Sequence, residues 1–440
     1  MTRRLLALAA AAVGMAAIAE PVWAQQNEQF IPILSYRTGA YAVNGVPYAN
    51  GVADYYNLVN ERDGGINGVK IVFEECETGY ATDKGVECYE RLKAKGPTGA
   101  AFINPLSTGI TFALTEKTLA DKIPIITMGY GRADSKNGAV FAWNFPLLGT
   151  YWSAADIAVQ HVAKEVGGAD KLKGKKISLV YHDSPYGKEP IPALQVLAKK
   201  HGFTFTPIPV THPGVEQKSQ WLGIRQNRPD YVLIWGWGVM NGVAIKEAAA
   251  VAFPRDKMIG VWWSGAEPDV TPAGDQSKGY KALMLQHGAQ KDKVHADLEK
   301  HVYAKGKGAT DKEKVGEVLY NRGMVNAMLG VEAIRKAQEK HGKKPLTGEQ
   351  VRWGLENLNL TADRIKALGF EGMLRPVKIT CADHEGARDG RVQQWDGKQW
   401  KIISGWYTAN QEVTEPLVKD VSAKYAAEKK ITPRDCAKES

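Results

Sequence analysis

Residues 102–111, FINPLSTGIT, set a serine and a threonine side by side where an apolar run turns into a helical pattern. The first N–H groups of a helix lack intrahelical acceptors and sit at the positive end of its dipole. Hydroxyls of Ser107 and Thr108 beside them therefore suit an anion such as a carboxylate. The same residues also fit an ordinary N-cap, which contributes about 1 kcal/mol, and this stretch alone leaves both readings open. A second candidate is WGWGVMNG, 235–242, between a strand pattern and a helix pattern. Its spacing is one residue longer than the dinucleotide fingerprint. The glycines suit close approach of backbone to a ligand, with Trp235 or Trp237 stacking on it, or else the indoles simply fill a core. His182-Asp183 ends a strand pattern and reads as a satisfied polar pair. The chain has no G-x-S-x-G, no H-E-x-x-H and no Walker sequence, and its nine histidines do not cluster. No catalytic residue, no resident cofactor and no metal site is expected.

The four cysteines are Cys76, Cys88, Cys381 and Cys436. An even number suits pairing in an oxidising compartment, and their grouping suggests two bridges, Cys76–Cys88 and Cys381–Cys436. The first 24 residues, MTRRLLALAAAAVGMAAIAEPVWA, carry two arginines, an apolar stretch and small residues before a cut after Ala24. They predict a cleaved export signal rather than a span, and the absence of cysteine there argues against a lipid anchor. A formal net charge of +9 over 440 residues is spread along helical faces and turns, with no basic block or aromatic stripe of a nucleic-acid surface.

The elements that must position these residues alternate. IPILSYRTG reads as a strand. The following helix places Val52, Tyr55, Tyr56 and Val59 on one face and stops at Gly64-Gly65. Strand GVKIVFEEC, a helix over 83–95, strand GAAFIN, a helix over 109–122, IPIIT and AVFAWNF follow. A long helix, 149–166, begins a second round: KKISLVYHD, FTFTPIPV, DYVLIWGWG and MIGVWW, separated by helices. Such alternation predicts an α/β fold with two doubly wound, Rossmann-like units. From 292 the pattern turns helical (292–305, 315–341, 347–358), then forms a hairpin turned at Asp396-Gly397. The economical arrangement adds these helices to the first unit and the hairpin to the second.

In order, these motifs resemble a known family. GAYAVNGVPYANGVADYYNLVNERDGGINGVKI, PLSTG before IPIIT, HDSPYG and the strand before WGWG are similar to the leucine/isoleucine/valine-binding branch of the periplasmic substrate-binding proteins of ABC transporters. The resemblance runs over nearly all of 30–370. It implies two α/β lobes joined by a three-segment hinge, the type I periplasmic binding protein fold, closing on a small solute. The implied lobes are 27–149 with 289–370, and 150–288 with 371–440, after a signal at 1–24. The implied role is a monomeric periplasmic receptor that delivers a small carboxylate-bearing ligand, an amino acid or an aromatic or aliphatic acid, to an inner-membrane ABC permease. A sensor of the same fold or a secreted hydrolase is the alternative. By the same resemblance Leu106, Ser107 and Thr108 hold the carboxylate, and Gly129, Tyr130 and Gly131 face the solute. Asn44 lies at the mouth of the first turn, and Tyr186, Trp237 and Trp263 approach from the second lobe. The sequence departs from amino-acid binders where an acidic residue should follow MIGVWW: Trp263, Ser264 and Gly265 stand there, and Glu267 comes late. Tyr130 and Arg132 also replace small residues.

Overall fold

A computed structural model describes residues 27–289 and 291–439; the signal expected at 1–24 lies outside them. The first lobe is built on strands β1 (Glu28–Ser35) and β2 (Lys70–Glu77), paired in parallel from Glu28↔Lys70 to Ser35↔Glu77. Next in the layer runs 100–103, whose Ala101 N–H donates to Phe30 O (3.1 Å) and whose Ile103 bridges Ile125. β3 (Ile125–Met128) and β4 (Asn144–Leu147) complete it, also in parallel. The stretch read as strand GAAFIN is thus reduced to a single bridge. The strand expected over AVFAWNF begins only at Asn144, five residues past its first residue, because Val140 and Phe141 instead pack under Tyr425 and Ile431 of the C-terminal tail.

Helices α1 (Ala42–Asp63), α2 (Thr82–Leu92) and α3 (Thr108–Asp121) cover this sheet. α1 buries Val52, Tyr55, Tyr56 and Val59 as their spacing predicts, and ends at Gly64 in the left-handed region. Its partner is the long helix Val318–His341, and the two cross in backbone contact. A Cβ on Gly51 would lie 2.0 Å from Tyr320 O, and one on Gly323 2.1 Å from Tyr48 O. Only glycine at both crossing points permits this approach, which carries Tyr48 and Arg322 toward the inter-lobe cleft.

The second lobe begins with α4 (Tyr151–Val166) and an eight-stranded sheet. Its parallel part runs β6 (Thr204–Val210), β5 (Lys176–His182), β7 (Tyr231–Trp235), β8 (Met258–Gly260), β9 (Lys281–Met284) in space. The hairpin Asp389–Trp395/Trp400–Ile402 adds to β9 in antiparallel fashion. β8 stops at Gly260 instead of running through the two tryptophans; Ser264 N–H closes a turn onto Val261 O (2.7 Å). Residues in a strand alternate between faces, but a turn does not impose this, so Trp262 and Trp263 send their indoles the same way.

The crossings between lobes are tied together by a buried carboxylate. Glu385 accepts from Thr150 N–H (2.9 Å) and Ser153 Oγ, and pairs with buried Lys136 (3.2 Å). Its own carbonyl accepts from Leu148 N–H (3.1 Å). The last helix, Gln411–Lys429, packs on α4, but the residues beyond it turn back to the first lobe. There Arg434 pairs with Glu356 (2.6 Å) and Cys436 bonds Cys381. The C-terminal stretch assigned wholly to the second lobe therefore makes contacts with both. The other expected bridge, Cys76–Cys88, joins the end of β2 to α2. Among the described residues no helix is long and apolar enough to cross a membrane.

Candidate functional site

The turn before α3 is held open by side chains. Leu106 lies in the left-handed region (φ +46°), which a leucine adopts only when its surroundings fix it. Its N–H donates to the Tyr130 hydroxyl (2.7 Å) and to Asn104 Oδ1 (3.2 Å), while its carbonyl accepts from the Tyr36 hydroxyl (3.2 Å). Ser107 is the N-cap: its hydroxyl accepts from Ile110 N–H (3.4 Å). Thr108 Oγ1 accepts from Gly131 N–H (3.3 Å). Among the described residues the N–H groups of Thr108 and Gly109 have no partner. The capping and cradle readings are therefore compatible: the cap uses one helix N–H and leaves two free.

Seven of the ten residues expected at the ligand line one pocket between the lobes: Leu106, Ser107, Thr108 and Tyr130 from the first, Tyr186, Trp237 and Trp263 from the second. In this closed arrangement the free volume among these side chains is small, about 20 Å³, little more than one water requires. Trp263 is the hub of the apolar wall. Its ring stands edge-on to Trp237 (5.5 Å, 89°) and to Tyr130 (5.6 Å, 80°).

The other three expected residues stand behind this lining. Asn44 points away, donating to Asp269 Oδ1 (3.1 Å) across the cleft, because the carboxylate there outcompetes an empty turn mouth. Gly129 and Gly131 serve through their backbones. Gly129 O accepts from the indoles of Trp262 (2.6 Å) and Trp263 (2.8 Å), and a Cβ on Gly129 would lie 2.6 Å from Leu285 and 2.7 Å from Trp262 Nε1. Glu267 is not in the cavity either; it accepts from Val318 N–H (2.9 Å).

Sequence reasoning missed two lining residues, Tyr80 and Tyr151. Tyr80 follows Thr78-Gly79 in a left-handed turn, and Tyr151 is the first residue of α4. Both line the same pocket as Ser107 and Thr108. A tyrosine just after a strand-end turn or at a helix start was the available signal. Burial raises the pKa of Tyr80, Tyr130, Tyr151 and Tyr186, so all four remain protonated donors.

Arg322 was also missed. Fully buried on the long helix, it stacks over Trp263 (4.6 Å to the ring centre) and bonds Gln286 Oε1 (3.0 Å) and Trp262 O. Burial lowers its pKa to about 10, so it stays charged at neutral pH. Its counter-charge is Asp269, which burial pushes up to about 6.

The lobes are closed on one another. Besides the Gly129 contacts, Tyr41 Oη meets His182 Nε2 (2.8 Å), Trp237 Nε1 donates to Tyr36 Oη (3.1 Å), and Ala133 N–H donates to Glu189 (2.9 Å). His182 is thus the satisfied polar residue its context predicts; burial lowers its pKa to about 3.

A family model described as periplasmic binding protein matches residues 28–399. Comparison with curated proteins found no match. A solved structure from the Pseudomonas fluorescens group, described as an ABC transporter permease, is 46% identical; the alignment covers 93% of this chain and 99% of that one, with a TM-score of 0.87. A branched chain amino acid ABC transporter from Thermus thermophilus with bound valine is 20% identical, covering 89% of this chain and 99% of that one at a TM-score of 0.73. A solute binding protein from R. palustris in complex with benzoate is 16% identical, covering 87% and 97%, at 0.65. The last two establish likeness of fold.

Proposed function

This chain belongs to the periplasmic binding protein family, and we propose that it is a receptor that captures a small carboxylate-bearing solute between two lobes and delivers it to an ABC permease. The observation that carries this reading is the inter-lobe pocket, with the free N–H groups and hydroxyls of α3 at one end and an aromatic wall at the other. The lobes are 27–149 with 289–370 and 150–288 with 371–440. The carboxylate lies at Ser107 and Thr108, where helix dipole and donors act together. Its body rests on Tyr130, Tyr186, Trp237 and Trp263. Valine and benzoate, bound by proteins of similar fold, are both small solutes that carry a carboxylate. Contacts from both lobes favour the closed form, and the permease recognises that form. The receptor works as a monomer in the periplasm and performs no chemistry on its cargo.

Calorimetric titration of the purified protein with small amino acids, benzoate, phenylacetate and short aliphatic acids tests this. The expected result is saturable one-site binding of at least one acid, weakened by Thr108→Val. Binding of neutral sugars or bases but of no acid refutes it.

A further inference from the structure

Resting on that receptor reading, we infer that the cavity is built for a monocarboxylate whose body carries no ammonium group, so that α-amino acids are rejected in favour of their des-amino counterparts. The argument is an inventory of hydrogen-bonding groups at the cavity walls.

Donors are in surplus at one end. The hydroxyl-bearing side chains of Tyr80, Ser107, Thr108 and Tyr151 all line this end, and Thr108 N–H and Gly109 N–H are unpaired beside them, so donors are at hand for the roughly four acceptor positions of a carboxylate.

Carbonyl and amide acceptors are largely engaged, with one lone pair left on Leu106 O. Gly129 O takes two indole N–H groups, and Gly236 O takes Tyr186 Oη (2.9 Å) and Ser264 Oγ (2.7 Å). Leu106 O takes Tyr36 Oη, and Asn104 Oδ1 takes Tyr130 Oη (2.9 Å) and Leu106 N–H. The polar atoms of Tyr130, Tyr186, Trp237 and Trp263 are thereby turned into the protein, leaving their ring surfaces for the solute.

No carboxylate lines the cavity among the described residues. Asp269 accepts from Asn44, Asn241 (2.8 Å) and Ala266 N–H (2.8 Å); Glu267 and Glu189 each accept a backbone N–H. The unpaired amide oxygens of Asn44 and Asn241 belong to the Asp269 cluster, outside the lining. The Arg322 guanidinium stands behind Trp263, over its ring, and favours an anion over an ammonium. A buried ammonium with no carboxylate to meet it regains little of the hydration it loses, whereas the alkyl or aryl body of the des-amino acid gains aromatic contact.

The test is titration of the purified protein with matched pairs: propionate and alanine, isovalerate and valine, phenylacetate and phenylglycine. In each pair that binds, the acid lacking the amino group is expected to bind about tenfold more tightly or better. An amino acid that binds as tightly as its des-amino partner overturns this inference while leaving the receptor reading intact. Failure of every member of every pair overturns the carboxylate receptor reading and the inference with it.

Discussion

Replacing Tyr151 by phenylalanine removes one oxygen from the donor end of the cavity and nothing else. The ring is 1% exposed and wedged between Tyr186 (5.3 Å) and Trp235 (6.3 Å), so the phenyl group retains these contacts. What is lost is a neutral phenol hydroxyl on a lining residue, which on the proposed reading donates to the solute. A hydrogen bond to a charged acceptor contributes about 1.5–3 kcal/mol, which corresponds to a loss of about 10- to 150-fold in affinity for a small acid. The fold is not at stake: without ligand the melting temperature should stay within about 2 °C of the parent. Calorimetry measures the affinity and differential scanning the stability. Combining Tyr151→Phe with Thr108→Val sharpens the result, because two hydroxyls acting on one carboxylate should show losses that do not add. A folded Tyr151→Phe variant that binds small acids as tightly as the parent refutes the donor-end assignment.

Other consequences follow from the same contacts. Gly129→Ala places a Cβ against Leu285 and Trp262 at a left-handed φ (+70°); it should block closure and weaken binding by about 100-fold or more, with a far smaller change in melting temperature of the ligand-free protein. Gly51→Val drives a side chain into Tyr320 O on the partner helix, and about 3 kcal/mol or more of stability should disappear in chemical denaturation. Glu189, whose carboxyl burial and Asp134 push up to about 8, stays neutral when the cleft closes. With an ordinary carboxylate value in the open form, closure is favoured below that value and progressively penalised as pH rises through 8. Binding should therefore weaken by about tenfold or more from pH 6 to pH 8.5 and do so less in Glu189→Gln; identical pH profiles would exclude Glu189 as a contributor. Replacing Cys381 and Cys436 by serine releases a loop of 55 residues and should cost about 4 kcal/mol of unfolding free energy.

The alternating strands and helices were legible because period and punctuation are local properties. α3 falls within a residue of its pattern and α1 stops at Gly64 for that reason, while β1 begins three residues before its pattern and ends four before it does. So were the turns at the pocket, since FINPLSTG and MGYG combine a strand end with turn residues. What escaped was decided by partners distant in sequence. Phe141 looked like a strand residue until Tyr425 stacked on it (4.7 Å). Tyr151 looked like the start of any buried helix, and its role depends on Thr108. Arg322 sits within an apolar helical run, and only the close crossing at Gly51 and Gly323 brings it behind Trp263. Asn44 was misplaced for the converse reason: its turn is where expected, but a carboxylate from the other lobe takes its amide. Which carbonyls are already occupied is invisible in sequence, and that occupancy decides what the cavity accepts.

The indoles of Trp237, Trp262 and Trp263 each donate to an oxygen on the opposite lobe. Opening must break all three bonds and expose these rings to water together. The molecule thus reports its own jaw angle optically: tryptophan emission, read without any attached dye, should shift to the red when the cleft opens and return to the blue in the stopped-flow interval after solute is added.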